Sequence, residues 1–300
     1  MPRKANVITA CFNDEFLRGT NLENNFKKTE SLLSTFEGMK PDLICLPEVF
    51  LETGLGAGPV SASVSDRVIE LLSSHAKKLN SYIVAGGHEH IDSELYNVAW
   101  VIDRAGNMLG RYAKVHPTMG EVDNIGVRPG REALVFDTDF GRIGVAICYD
   151  VGWPALWQDL SDKGAELVVW PSAYDGGFPL QAYAWSHFYY VVTSVRTNHS
   201  KIIDKTGQIL ASSSRWLGWT SHVVDLEKEV FHIDLQYQKL VEVQRRLGTK
   251  VTIKALSEEN IFTLESNDSE WPVAKIKHEF GLESFRDYHK RAEEVQNRAR

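Results

Sequence analysis

Over roughly the first 230 residues, short apolar runs alternate with segments of helical periodicity, a pattern that predicts a layered α/β arrangement. Strands are predicted at Asn6–Phe12, Asp42–Leu46, Tyr82–Gly86, Tyr96–Asp103, Ala133–Phe136, Arg142–Ile147 and Leu167–Trp170. Helices are predicted at Asn21–Phe36, Val64–Leu79 and Trp153–Lys163. Ala105-Gly106-Asn107 separates two alternating runs and reads as a hairpin turn, and Asp204-Lys205-Thr206-Gly207 as a second. Two hairpins exclude a wholly parallel sheet and favour packed mixed sheets.

Past about Leu235 the pattern changes. Gln236–Leu247 reads as an amphipathic helix, two weak strands follow, and Glu283–Arg300 is a strongly charged helix whose simplest reading is a solvated face. The expected division is therefore residues 1–235 as one domain and 236–300 as an extension. That extension is expected to add little to a core and to lie as an arm over the body or a neighbouring subunit.

Composition narrows the partners. The chain of 300 residues is 43% hydrophobic and 24% charged, as in ordinary soluble proteins. A formal charge of −7 argues against nucleic acid or an anionic membrane surface. No apolar run is long enough to span a bilayer. The start Met-Pro-Arg-Lys-Ala-Asn-Val lacks an apolar stretch and a cleavage site, so no signal peptide is expected. Three widely spaced cysteines suit neither a disulfide framework nor a zinc cluster, which points to a reducing, cytoplasmic setting.

Three reactive side chains stand at strand ends, where α/β sheets expose functional groups. Glu48 follows Leu46 and Pro47, and Pro47 stops its strand. Lys114 closes the short strand of Gly-Arg-Tyr-Ala-Lys. Cys148 follows Gly-Arg-Ile-Gly-Val-Ala-Ile and precedes a turn at Tyr149–Gly152. Cys11 and Cys45 sit inside apolar runs and read as core. Taken singly, Glu48 is a solvated carboxylate, Lys114 a surface lysine, and Cys148 as easily structural as nucleophilic. His88 and His90 alternate on a strand, but no third ligand stands at a recognised spacing. They read as a solvent-exposed strand-end pair, and no metal is expected.

The ordered set Leu-Pro-Glu48, Tyr-Ala-Lys114 and Ile-Cys148-Tyr-Asp resembles the nitrilase, or carbon–nitrogen hydrolase, superfamily. The likeness runs from Asn6 to about Ile233 and includes Gly86-Gly87, Tyr96-Asn97, Pro129-Gly130, Gly141–Gly144, Trp170–Ala173 and Asp204–Gly207. The resemblance implies a four-layer α-β-β-α sandwich with two mixed sheets, no cofactor, and a homodimer or larger assembly. It implies Cys148 as nucleophile, Glu48 as base, Lys114 as the adjacent cation and Glu121 as a second glutamate orienting substrate or lysine. A thioester would form, with the oxyanion met by Lys114 and the Tyr149 backbone N–H.

Two stretches depart from the family pattern: Val-Gly-Trp153-Pro154-Ala after Cys-Tyr-Asp, and Trp185–Tyr190. Both bear on the substrate pocket and on subunit contacts. Trp153 and the loop Ser172–Phe178, including Ala173 and Tyr174, are candidate pocket residues, though core packing explains some of these aromatics. The site would take a small, partly apolar acyl group. No Arg follows Cys148-Tyr-Asp, which weakens a carboxylate-bearing carbamoyl substrate, although Arg128, Arg131, Arg196 or Arg215 could supply a charge.

The expected reaction is hydrolysis of a non-peptide amide or carbamoyl C–N bond, releasing ammonia or an amine. Cys-Tyr-Asp is closer to the amidase and carbamoylase branches than to the Cys-Trp-Glu of nitrilases. A nitrilase remains the alternative, supported by Lys-x-x-Pro-Thr-x-x-Glu at Lys114–Glu121. An acyltransferase is weaker, because no membrane segment accompanies the domain. A catalytically idle scaffold would be expected to lose one of the three residues, and all three remain.

Overall fold

The computed structural model describes residues 3–12, 20–53, 55 and 62–300. Their contacts divide into two units: Ala5–Val224, and Asp225–Arg300 together with residues 3–4.

The larger unit is a mixed α/β fold with two six-stranded sheets. Its strands are β1 (Lys4–Ala10), β2 (Leu43–Leu46), β3 (Tyr82–Ile91), β4 (Glu94–Ile102), β5 (Met108–Ala113) and β6 (Leu134–Asp137). They continue with β7 (Arg142–Val145), β8 (Leu167–Ser172), β9 (Tyr190–Val195), β10 (Lys201–Ile203), β11 (Ile209–Ser212) and β12 (Trp219–Asp225). One sheet runs β12-β1-β2-β3-β4-β5, the other β11-β10-β9-β8-β7-β6. Each has a parallel centre, β1-β2-β3 and β7-β8-β9, continued by antiparallel hairpins. The parallel pairs need crossovers, and α1 (Leu22–Thr35), α2 (Ala62–Leu79), α3 (Pro154–Asp162) and α4 (Phe178–His187) supply them.

Both expected hairpins form. Gly106 N–H bonds Asp103 O at 3.0 Å between β4 and β5, and Gly207 N–H bonds Asp204 O at 2.8 Å between β10 and β11. α4 was not among the predicted helices. Its residues are apolar without a clear stripe, so the helical period does not stand out from the aromatic run around it.

Four layers result. Leu33, Val68, Leu72 and Ala76 of α1 and α2 pack on Ile8, Ile44 and Ile83 of the first sheet. Trp157, Leu160 and Leu180 of α3 and α4 pack on Val168, Trp170 and Val191 of the second. Between the sheets, Thr9 donates to Thr193 O at 2.6 Å, and Ser194 donates to Ala10 O at 2.7 Å. This is the α-β-β-α sandwich that the resemblance implies. Cys45 is sealed in the core and Cys11 is half-buried.

The smaller unit corrects one expectation. Its residues build a core of their own. β13 (Glu229–His232), β14 (Val251–Leu256) and β15 (Ile261–Ser266) form a sheet ordered β13-β15-β14. Helix α5 (Tyr237–Leu247) lies between β13 and β14, and α6 (Val273–Glu279) and α7 (Phe285–Ala299) follow β15. Phe231, Val243, Leu247, Phe262, Leu264 and Ile276 cluster together, because central β15 is buried along nearly its whole length. The charged α7 has no fully buried residue, as its composition predicts. No helix among the described residues is long and apolar enough to cross a membrane.

Candidate active site

Glu48 lies just past β2, where Pro47 ends the ladder. Gly86 N–H of β3 still reaches Pro47 O at 3.1 Å, so the two backbones run in close contact. A Cβ on Gly86 would stand 2.6 Å from Glu48 Cα, and only glycine allows that approach. Lys114 extends β5 by one residue, its N–H bonding Asn97 O at 2.8 Å. Gly130 N–H bonds Lys114 O at 2.7 Å, and a Cβ there would lie 2.1 Å from Ala113 O. Two glycines thus set the backbones of Glu48 and Lys114.

Cys148 opens a 3-10 turn, Cys148–Gly152, at the end of the β7 run, with a left-handed φ of 45°. That conformation costs a non-glycine residue about 1–3 kcal/mol and persists only where the surroundings hold it. Fully buried Asp150 does much of the holding. It accepts Ile147 N–H at 2.9 Å, Tyr112 Oη–H at 2.7 Å and His116 N–H at 2.9 Å. Trp170 Nε1–H ties down Cys148 O at 3.1 Å.

The side chains meet at a cavity of about 340 Å³ lined by Glu48, Asn97, Lys114, Glu121, Cys148 and Ala173. Lys114, only 1% exposed, places Nζ 2.8 Å from Glu48 Oε1 and 2.8 Å from Glu121 Oε2. Burial opposes its charge, but Glu48, Cys148 and Glu121 more than offset this and hold Lys114 above the ordinary lysine range. Burial likewise opposes ionised Glu121. Lys114, Thr118 N–H at 2.7 Å and Asn97 Nδ2–H at 2.7 Å outweigh it and keep that carboxyl below its usual value. Thr118 Oγ1 in turn accepts Glu121 N–H at 3.2 Å, a reciprocal pair that fixes the turn starting at Glu121.

Cys148 behaves oppositely. Burial and then the Glu48 charge push its thiol up to about 12, against Lys114, the Ala173 N–H and the Ser172 hydroxyl. At neutral pH the sulfur therefore keeps its proton.

The remaining sequence candidates divide. Ser172 and Ala173 both bond the sulfur, and Ser172 Oγ also accepts Tyr174 N–H at 3.1 Å. Burial, and after it the charges of Cys148 and Glu48, push the Tyr174 hydroxyl up. Trp153 stacks on His116 at 4.1 Å, and Tyr149 meets Trp153 edge-on at 5.0 Å. Neither side chain is among the residues lining the cavity.

Other lining residues were given no catalytic role from the sequence. Asn97 donates to Glu48 Oε1 at 2.8 Å as well as to Glu121, so one buried amide holds both carboxylates. Its strand shows only a polar residue inside an apolar run, a signal worth weighing when that strand borders a reactive residue. His88 is a correction. β3 continues to Ile91, and His88 is 5% exposed, lining the cavity with Nδ1 3.0 Å from Glu52 Oε1. His90 is the exposed partner of the pair. Of Arg128, Arg131, Arg196 and Arg215, which the sequence offered as a possible charge for substrate, Arg196 is among the residues lining the cavity. Among the described residues no group of three or more acidic, histidine or cysteine side chains could hold a metal.

The sequence profile of the carbon–nitrogen hydrolase family matches residues 13–228. This chain belongs to that family. Its similarity to a deaminated glutathione amidase of Dictyostelium discoideum is 30% identity over 227 residues, 63% of this chain and 78% of that one. An omega-amidase NIT2-B of Xenopus laevis is 26% identical over 280 residues, 84% of this chain and 95% of its own. A crystal structure of a carbon–nitrogen hydrolase from Helicobacter pylori G27 superposes with a TM-score of 0.66 at 17% identity, covering 81% and 92% of the two chains. As a member of the family the chain is an enzyme of the carbon–nitrogen hydrolase type, and its amidase-named relatives support hydrolysis of the amidase type.

Proposed function

We propose that this hydrolase cleaves a non-peptide C–N bond of a small amide or carbamoyl compound through a thioester on Cys148. The observation that carries the reading is the buried contact of Lys114 Nζ with Glu48 Oε1 at 2.8 Å beside the same cavity as the Cys148 thiol.

Because the resting thiol is protonated, attack needs a base at hand, and Glu48 fills that role. Glu48 takes the S–H proton as sulfur bonds to the substrate carbonyl carbon. Lys114 Nζ and the Tyr149 backbone N–H meet the oxyanion. Collapse breaks the C–N bond, and protonated Glu48 returns its proton to the departing ammonia or amine. Water then attacks the thioester while giving a proton to Glu48, and Glu48 passes that proton to the departing sulfur, which frees the carboxylic acid and restores the thiol. Glu121 and Asn97 hold Lys114 and Glu48 in register throughout.

The relatives named above are amidases, which favours an amide over a nitrile. The test is mass spectrometry of the intact protein after incubation with a panel of small amides, carbamoyl compounds and nitriles. The wild-type protein should show an acyl adduct on Cys148 with an amide when turnover is quenched, and the Glu48→Gln variant, which lacks the base for attack, should show none. A wild-type protein that releases no ammonia or amine from any of them, together with an unmodified Cys148, would sink the proposal.

A further inference from the structure

Among the buried polar atoms at the cavity without a hydrogen-bond partner are His88 Nε2 and Asn97 Oδ1, on residues directly opposite each other on adjacent strands. His88 of β3 pairs in register with Asn97 of β4, so both side chains stand on one face of the sheet. Glu52 accepts from His88 Nδ1 with both carboxylate oxygens, at 3.0 and 3.1 Å, which fixes the ring and leaves Nε2 unpartnered. Asn97 spends both amide hydrogens on Glu48 and Glu121, so its unpartnered Oδ1 is an acceptor alone. All five of these side chains line the cavity.

The charges of the described lining residues restrict what can complete this end. Glu48, Glu52 and Glu121 carry three negative charges, and Lys114 and Arg196 carry two positive ones. The lining is one charge negative with a neutral His88 ring and balanced with a charged one. No positive surplus of charge awaits a substrate carboxylate. A carboxylate would also face Asn97 Oδ1 with no hydrogen to give it. Beside these groups, Val49, Leu55 and Ile125 offer apolar contact for a short methylene chain.

We propose that Glu52, His88 and Asn97 form a specificity subsite for the far end of the acyl chain. It selects an uncharged hydrogen-bond donor, a hydroxyl or a carboxamide, over a plain alkyl end and over a carboxylate. Glu52 acts as a positioning residue that holds the imidazole, and His88 makes the contact. The inference rests on the amidase reading of this cavity, but binding tests it separately from turnover.

The experiment measures calorimetric Kd values with the Cys148→Ala protein for butyramide, its terminally hydroxylated analogue and the monoamide of succinic acid. The hydroxylated amide should bind about tenfold more tightly than butyramide, and the carboxylate more weakly than either. Adding His88→Leu should remove the hydroxyl preference, and His88→Gln, which keeps a polar end, should restore part of it. Equal affinities, or tightest binding of the carboxylate, would overturn the subsite. Ammonia release by the wild-type protein from the same three amides reports on the catalytic reading alone.

Discussion

Asn97 Nδ2 lies 2.8 Å from Glu48 Oε1, the oxygen that Lys114 also holds. The proposed base therefore has one oxygen committed to two donors, and its other oxygen is left for proton transfer. This orientation comes from a residue in the middle of β4 that contributes no chemistry of its own.

Replacing Asn97 with Ala should free Glu48 to rotate and lower kcat by about 100-fold, since small misplacements of a catalytic group cost that much. Steady-state kinetics on any amide the wild type hydrolyses will show it. An unchanged kcat would mean that Lys114 alone positions the carboxylate.

Lys114→Met should be among the most destabilising single changes. It would leave Glu48 and Glu121 buried without their shared cation, and breaking a buried pair this way costs about 3–5 kcal/mol. Urea unfolding measures the loss. Lys114→Met with Glu121→Gln should recover part of it, because one uncompensated charge is removed.

The thiol and the glutamate predict opposite pH dependences. Cys148 holds its proton in the folded protein up to about 12, while an unfolded thiol releases it near 9.0. Folded protein thus binds more protons in that window, and the unfolding free energy falls as pH rises through it. Cys148→Ala should make the fall shallower. Glu121 is depressed below 4.5, so its contribution is present above that value and is lost as pH falls. Glu121→Gln should flatten the acid limb. Parallel curves for variant and parent in either window would contradict the assignment.

Gly86→Ala should push β3 from the Glu48 backbone, because the new methyl carbon would lie 2.6 Å from Glu48 Cα. Stability should drop by about 1–3 kcal/mol. Activity should fall at least tenfold more than for an alanine placed at Gly38, where nothing stands within 4 Å. Thermal unfolding and kcat/KM, measured together, test both halves.

How much of this was legible in the chain depends on range. Strand runs such as Leu43–Leu46 and Leu167–Ser172, and the turns at Gly106 and Gly207, announce themselves because apolar content and turn chemistry are local. Strand ends and the helix Phe178–His187 were less clear, since packing on both sides erases the period. The C-terminal unit shows the same limit. Its weak strands become a core only once Phe231 of β13 packs on Phe262 of β15, 5.0 Å between ring centres.

The sequence by itself determined the chemistry available: a thiol, two carboxylates and an ammonium, each placed at a strand end or turn by its immediate neighbours, in an order that marks the carbon–nitrogen hydrolase family. Only the tertiary structure decided which other groups join them. The pairing of His88 with Asn97 across β3 and β4, and the arrival of Glu52 and Arg196 at the same cavity, depend on residues far away in the chain. A side chain's face on a strand follows from local alternation. What stands opposite it does not, and that pairing turned a histidine expected in solvent into part of the cavity wall.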